Sequence, residues 1–191
     1  AIAGERDDLA QGLAHHGTVY AREFHNAPAA KLGFKKWLRD DAELVEAAFE
    51  LMQKAEVDMT LFFRLLAHVD PDAPQLSVLH EAFYRPELLA EHGTGFDAWL
   101  ARWAARVRSG NESSEVRIAR MNAANPRFVL RNYLAQQVIE RAEQGDPGMI
   151  HELLDVLRHP FDEQEDFAAY AAKRPDWARR KPGCSMLSCS S

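Results

Sequence analysis

In the stretch GFDAWLARWAARVR the apolar residues Phe96, Trp99, Leu100, Trp103 and Val107 recur at steps of three and four, which places them on one face of a helix. Ala and Leu number 50 in this chain of 191 residues, against 17 for Val, Ile and Thr, and side-chain entropy then favours helix over sheet. No strand pair, internal repeat or heptad run interrupts the pattern. The sequence therefore predicts an all-α fold, a bundle of about seven helices over residues 1–160, followed by an extended tail over 161–191.

Capping residues mark several boundaries. Thr94 or Asp97 is suited to cap the helix just quoted. In NPRFVLRNYLAQQVIERAEQGDPGMIHELLDVLRHP, Asn125 caps, Pro126 suits a first turn, Leu130, Tyr133, Leu134 and Val138 share a face, and Gly145 stops the helix. Asp146 and Pro147 start the next helix, whose expected buried stripe is Ile150, Leu153, Leu154 and Leu157, and Pro160 ends it. Two helices joined so tightly are expected to pack antiparallel. Upstream, Leu44, Val45, Ala48, Phe49 and Met52 form one stripe, and Asp58 caps a following helix carrying Phe62, Phe63, Leu65 and Leu66. A weaker helix spans 5–25 through Leu9, Leu13, Tyr20 and Phe24. Residues 26–39, 70–78 and 84–95 read as connections containing short turns.

Function classes narrow by chemistry. A net charge of −6 and a pI near 5.8 leave no concentrated basic face for nucleic acid, and the runs KKWLR and KRPDWARRK, each with acids nearby, read as solvated surface. No run of about 18 apolar residues encodes a membrane span. Two cysteines, Cys184 and Cys189, cannot staple the body, so a reducing, cytoplasmic compartment is expected. The opening AIAGERDDLA, polar and helical in pattern, reads as the middle of a longer protein.

His15 and His16 point about 100° apart on a helix and lack partners at a four-residue step. His80-Glu81 and His151-Glu152 begin H-E-x-x-H, but Tyr84 and Asp155 stand where the second His belongs. No nucleophile elbow, Walker loop or kinase catalytic element occurs. Glu56 and Asp58 beside Thr60 read as a cap plus solvated charges rather than an acid–base pair. Arg131 and Asn132, a polar pair in an apolar helix start, read as structural rather than as a clamp for a phosphate or a partner's carboxylate. At the tail, a spectator role and a redox role for Cys184 and Cys189 stand open side by side.

The run NPRFVLRNYLAQQVIERAEQGD, followed by LLDVLRHPFDEQ, RPDWA and the terminal CSS, resembles the C-terminal end of the selenoprotein O family, and KLGF with DMTLFFRLL resembles its helical region. The resemblance implies a protein-kinase-like fold, of which this chain is the C-terminal part of the C-lobe. It implies an activity too: a protein adenylyltransferase that uses ATP with Mg²⁺ or Mn²⁺ to move AMP onto Ser, Thr or Tyr of protein substrates. The family's ATP-clamping and metal-binding residues fall upstream of the matched region, so no catalytic, nucleotide-binding or metal role passes to a residue of this chain, and the chain alone is expected to hold no cofactor. Its partners are then the N-terminal catalytic part of the same protein and the parent's protein substrates. Cys189 occupies the place of the family's selenocysteine, third from the end. Met186 stands where a neighbouring Cys is usual, which weakens a local pair with Cys184 and leaves a longer-range disulfide as the redox alternative. The rival reading is a stand-alone helical interaction module without catalysis, and a third is a metal-dependent helical hydrolase built on the histidines.

Overall fold

The computed structural model describes residues 2–184, apart from the side chains of 2–8, 10 and 21–23. Seven α-helices are present among them: α1 (Ile2–Lys31), α2 (Asp41–Lys54), α3 (Met59–Leu66), α4 (Pro86–Arg108), α5 (Ser114–Ala124), α6 (Asn132–Glu143) and α7 (Gly148–Arg158). Three 3-10 segments are also present among these residues, Leu76–Ala82 between α3 and α4, and Glu165–Ala171 and Asp176–Arg179 after α7. The described residues contain no strand, only an isolated bridge between Val57 and Phe83.

The main core is aromatic. Phe62 of α3 meets Phe96 and Trp99 of α4, Phe83 packs edge-on against Phe96, and Trp99 stacks on Trp103. Leu44, Ala48 and Met52 of α2 close one side, and Met121 of α5 another. Both indoles find partners inside this core: Trp99 Nε1 donates to Leu44 O at 2.8 Å and Trp103 Nε1 to Leu32 O at 2.9 Å. Each large ring thus buries its area without orphaning its N–H. A second, smaller core gathers Tyr133, Leu134, Met149 and Leu153 from the α6–α7 hairpin.

Helix α1 ends in a Schellman turn. Phe34 N donates to Ala29 O and Gly33 N to Ala30 O, with Gly33 at φ +77°. Asn125, expected to start a helix, instead ends α5 and is buried. Its Nδ2 donates to Lys31 O and Met121 O, and its Oδ1 accepts from Lys31 Nζ, so it ties α1 to α5. Residues 126–130 stay irregular because Arg127 N and Phe128 N both donate to Pro160 O, and α6 starts only at Asn132.

Other boundaries moved as well. Helix α4 begins at Pro86, within a stretch read as a connection: Pro86 suits its first turn, and Gly95 lets Leu51 approach where a Cβ would meet Leu51 Cδ2 at 3.0 Å. On α7 the buried stripe is Met149, Leu153 and Val156, while Ile150 and Leu154 face out. Helix α5 had no apolar stripe to reveal it; its buried residues are Arg117 and Met121. The segment from residue 161 carries two 3-10 turns and lies against α6 and α7, with Ala171, Ala178 and Cys184 buried.

Gly33 and Gly145 separate two costs. Both hold positive φ, at +77° and +85°, but a Cβ on Gly33 would meet Met121 Sδ at 2.7 Å, whereas one on Gly145 meets nothing within 4 Å. Gly145→Ala should therefore cost only the left-handed backbone penalty, about 1–2 kcal/mol. Gly33→Ala should cost clearly more in the same urea titration, and equal losses would contradict the packing described.

Candidate functional site

Leu9, Leu13, Tyr20 and Phe24 share one face of α1, and all four are 60–74% exposed. His16 stacks with Tyr20, Tyr20 lies 5.8 Å from Phe24, Phe24 meets His25, and His25 meets Trp37, so a row of rings runs down the helix to the body. There it enters a groove of about 460 Å³ between α1 and α2, lined by Ala27, Pro28, Trp37, Val45 and Phe49. A smaller hollow of about 210 Å³ continues it towards Leu32 and Phe63. Phe49, expected in the core stripe of α2, lies half exposed at this groove. An isolated helix is marginal in water unless an apolar face is covered, and nothing among the described residues covers this one.

The interior holds a polar centre at Asp58. Its Oδ1 caps α3 by accepting from Leu61 N at 3.1 Å. Tyr84 Oη donates to Oδ2 at 2.7 Å, and Arg131 grips both oxygens, Nη2 to Oδ1 at 3.0 Å and Nη1 to Oδ2. Arg174 N in turn donates to Tyr84 Oη at 3.4 Å. Burial pushes the Asp58 carboxyl up. The Arg131 guanidinium, by hydrogen bond and charge, outweighs this together with Tyr84 and Leu61 N, and holds the group below the ordinary carboxylate value. Burial and the hydrogen bond to Asp58 push the Tyr84 hydroxyl up to about 12. These are fixed protonation states, which suit a structural clasp and not proton transfer.

The other residues singled out by sequence stay apart. His15 and His16 lie exposed on α1, and His80, Glu81 and His151 are exposed. Glu152 accepts from Tyr170 Oη, and Asp155 pairs with Arg158. Glu56 is partly exposed and sits between Arg85 and Arg179, with the Arg179 hydrogen bond foremost in holding its carboxyl low. Among the described residues no three His, Cys, Asp or Glu converge as a metal site. Arg131 is taken up by its pair with Asp58, and Asn132 is exposed. Sequence reasoning missed Tyr84 as Asp58's partner, because residues 26 apart in a connection carry no periodic signal. Cys184 is buried against Tyr133, Leu134, Met149 and Leu153, which removes the access that oxidants need, and Cys189 lies outside the described residues.

Two outcomes follow from this geometry. Arg131→Met should cost about 3–5 kcal/mol by leaving a buried carboxylate unpaired, and adding Asp58→Asn should restore much of it, since Asn still caps. Because the Asp58 carboxyl is held low, its contribution is present above about pH 4 and is lost as pH falls through the folded value, so the double variant should show a flatter acid limb. In a Cys189→Ser chain, a maleimide should label Cys184 only as fast as the C-terminal segment opens; labelling at the rate of a free thiol would contradict the burial.

Residues 1–158 match the family model described as protein adenylyltransferase SelO. A protein nucleotidyltransferase YdiU of Tolumonas auensis is 57% identical over 183 residues, covering 96% of this chain and 35% of the relative. The protein of that name from Aromatoleum aromaticum is 48% identical over 190 residues, covering 100% and 36%, and that of an Azoarcus species is 50% identical over 188 residues, covering 98% and 36%. The chain spans about a third of the length of these curated relatives. The match covers the aromatic core, the Asp58 clasp and the exposed face of α1 alike, and the chain belongs to the protein adenylyltransferase SelO family.

Proposed function

We propose that this chain is the helical C-lobe portion of a SelO-type protein adenylyltransferase, which moves AMP from ATP to Ser, Thr or Tyr of proteins in the cytoplasm. In this reading ATP and Mg²⁺ or Mn²⁺ are held by residues outside the chain, and helices α1–α7 buttress that catalytic part. The observation that carries the reading is the uncovered apolar face of α1 and its groove. A face of this length and composition is what a core looks like when its other half belongs to a further segment of the same polypeptide. The share of the relatives' length that the chain spans leaves room for such a segment. Cys189 is the proposed redox residue of the tail; Cys184, buried, is not.

The full-length polypeptide, incubated with ATP labelled on the α-phosphate, Mg²⁺ and protein substrate, should leave AMP adducts; transfer of the γ-phosphate instead overturns the assignment. Leu13→Asp with Phe24→Asp should leave the stability of the isolated 191-residue chain almost unchanged, because both side chains are exposed there. In the full-length protein the same pair should lower the melting temperature and activity together. Unchanged full-length behaviour would favour the rival interaction module, for which this face meets other proteins.

A further inference from the structure

Between α3 and the segment after α7 lies an open cleft of about 580 Å³ that is separate from the α1 face. Its apolar floor comes from Leu61 and Leu65 on one side and Ala168 and Ala171 on the other. Alanines leave a hollow there that longer side chains would have filled. The volume falls within the roughly 300–1,000 Å³ of small-molecule sites, which join an apolar lining to a few convergent polar groups.

The polar groups are mostly cations. Arg64 Nη1 is fixed by the carbonyls of Asn122, Asn125 and Phe161 at 3.4, 3.2 and 3.4 Å, which leaves Nη2 aimed at Glu163. Arg127 Nη1 reaches the second oxygen of the same carboxylate, and this is the one hydrogen bond its guanidinium makes among the described residues. The ammonium of Lys173 joins the lining and donates to Phe83 O at 2.6 Å. Two guanidinium groups converging on one carboxylate form a receptor for carboxylate or phosphate, and in this cleft the chain fills it with its own side chain. The Glu163 side chain is 59% exposed, so it has solvent to swing into when an anion takes its place. With Glu163 swung out, Arg64, Arg127 and Lys173 share the lining with His68 and with Glu81 as its one remaining acid, a net positive charge that an incoming anion would cancel.

We propose that this cleft binds a small amphiphilic anion, with a carboxylate or phosphate head between Arg64 and Arg127 in place of Glu163 and an apolar body on the alanine floor. Glu163 then acts as a built-in competitor that sets the affinity. This inference does not rest on the adenylyltransferase reading.

Calorimetric titration of the chain with hexanoate, hexyl phosphate and neutral hexanol tests it. At least one anion should bind at a single saturable site while hexanol does not, and the tighter of the two identifies the head group. Arg127→Met should weaken binding about tenfold or more, and Glu163→Gln should tighten it about fivefold or more by removing the competitor. If Arg127→Met lowers the helical circular dichroism, Lys173→Met at the rim takes its place, and it too should weaken the anion. No binding of either anion, equal binding of hexanol, or a Glu163→Gln chain that binds no tighter overturns the proposal.

Discussion

The carboxylate of Asp58 is where the two halves of the molecule meet. It ends the turn between α2 and α3, caps α3, and takes both arms of Arg131 at the entrance to α6. Moving such a pair out of water costs several kcal/mol per ion, which only good geometry and full hydrogen bonding offset. At Asp58 the offset is nearly complete on the acid side, with Leu61 N, Tyr84 Oη and two guanidinium nitrogens sharing two oxygens. It is less complete on the other, since Arg131 Nε is buried without a partner among the described residues. The pair therefore specifies how the α6–α7 hairpin docks more than it adds stability. With Arg131 held extended at φ −83°, ψ 143°, α6 cannot begin earlier.

Polar contacts continue that logic along the C-terminal segment. Glu163 lies between Arg64 and Arg127, Glu56 between Arg85 and Arg179, Lys173 donates to Phe83 O, and Lys181 pairs with Glu140. The segment's buried apolar residues, among those described, are only Ala171, Ala178 and Cys184, with Phe167 and Tyr170 partly buried beside them and Trp177 edge-on to Tyr133. Exposed ion pairs are individually worth little, so this segment belongs to the low-stability end of the molecule, where local opening is cheapest. The main core is the opposite case: a run of packed aromatic rings from Phe83 to Trp103 with both indole N–H groups satisfied.

The α1 face and the Arg64–Arg127 cleft are two different kinds of unfinished surface. The first is long, apolar and ring-lined, and suits a packed protein segment. The second is small, cationic and closed by a side chain of its own, and suits an exchangeable anion. Both are recognisable because their neighbours are so fully satisfied. Asp41, for example, is gripped by Arg106 through both oxygens, and Arg106 also donates to Lys36 O and covers the Phe34 ring.

What the sequence determined by itself is what local chemistry decides. The three-and-four spacing of Phe96, Trp99, Leu100 and Trp103 predicted their burial on α4, Asp58 was legible as the cap of α3, and Gly145 as the end of α6, because each depends on residues within a turn or two. The ordered motifs likewise carried the family. Tertiary structure alone decided which apolar stripes find a partner: Leu9 and Phe24 repeat as regularly as Trp99 and Trp103, yet only the latter are covered. It also made a link of Arg179, in a basic run read as solvated surface, which meets Glu56 from 123 residues away. Periodicity reports a side chain's face on its own helix, whereas burial and charge pairing depend on what the rest of the chain brings opposite that face, and no local pattern encodes that.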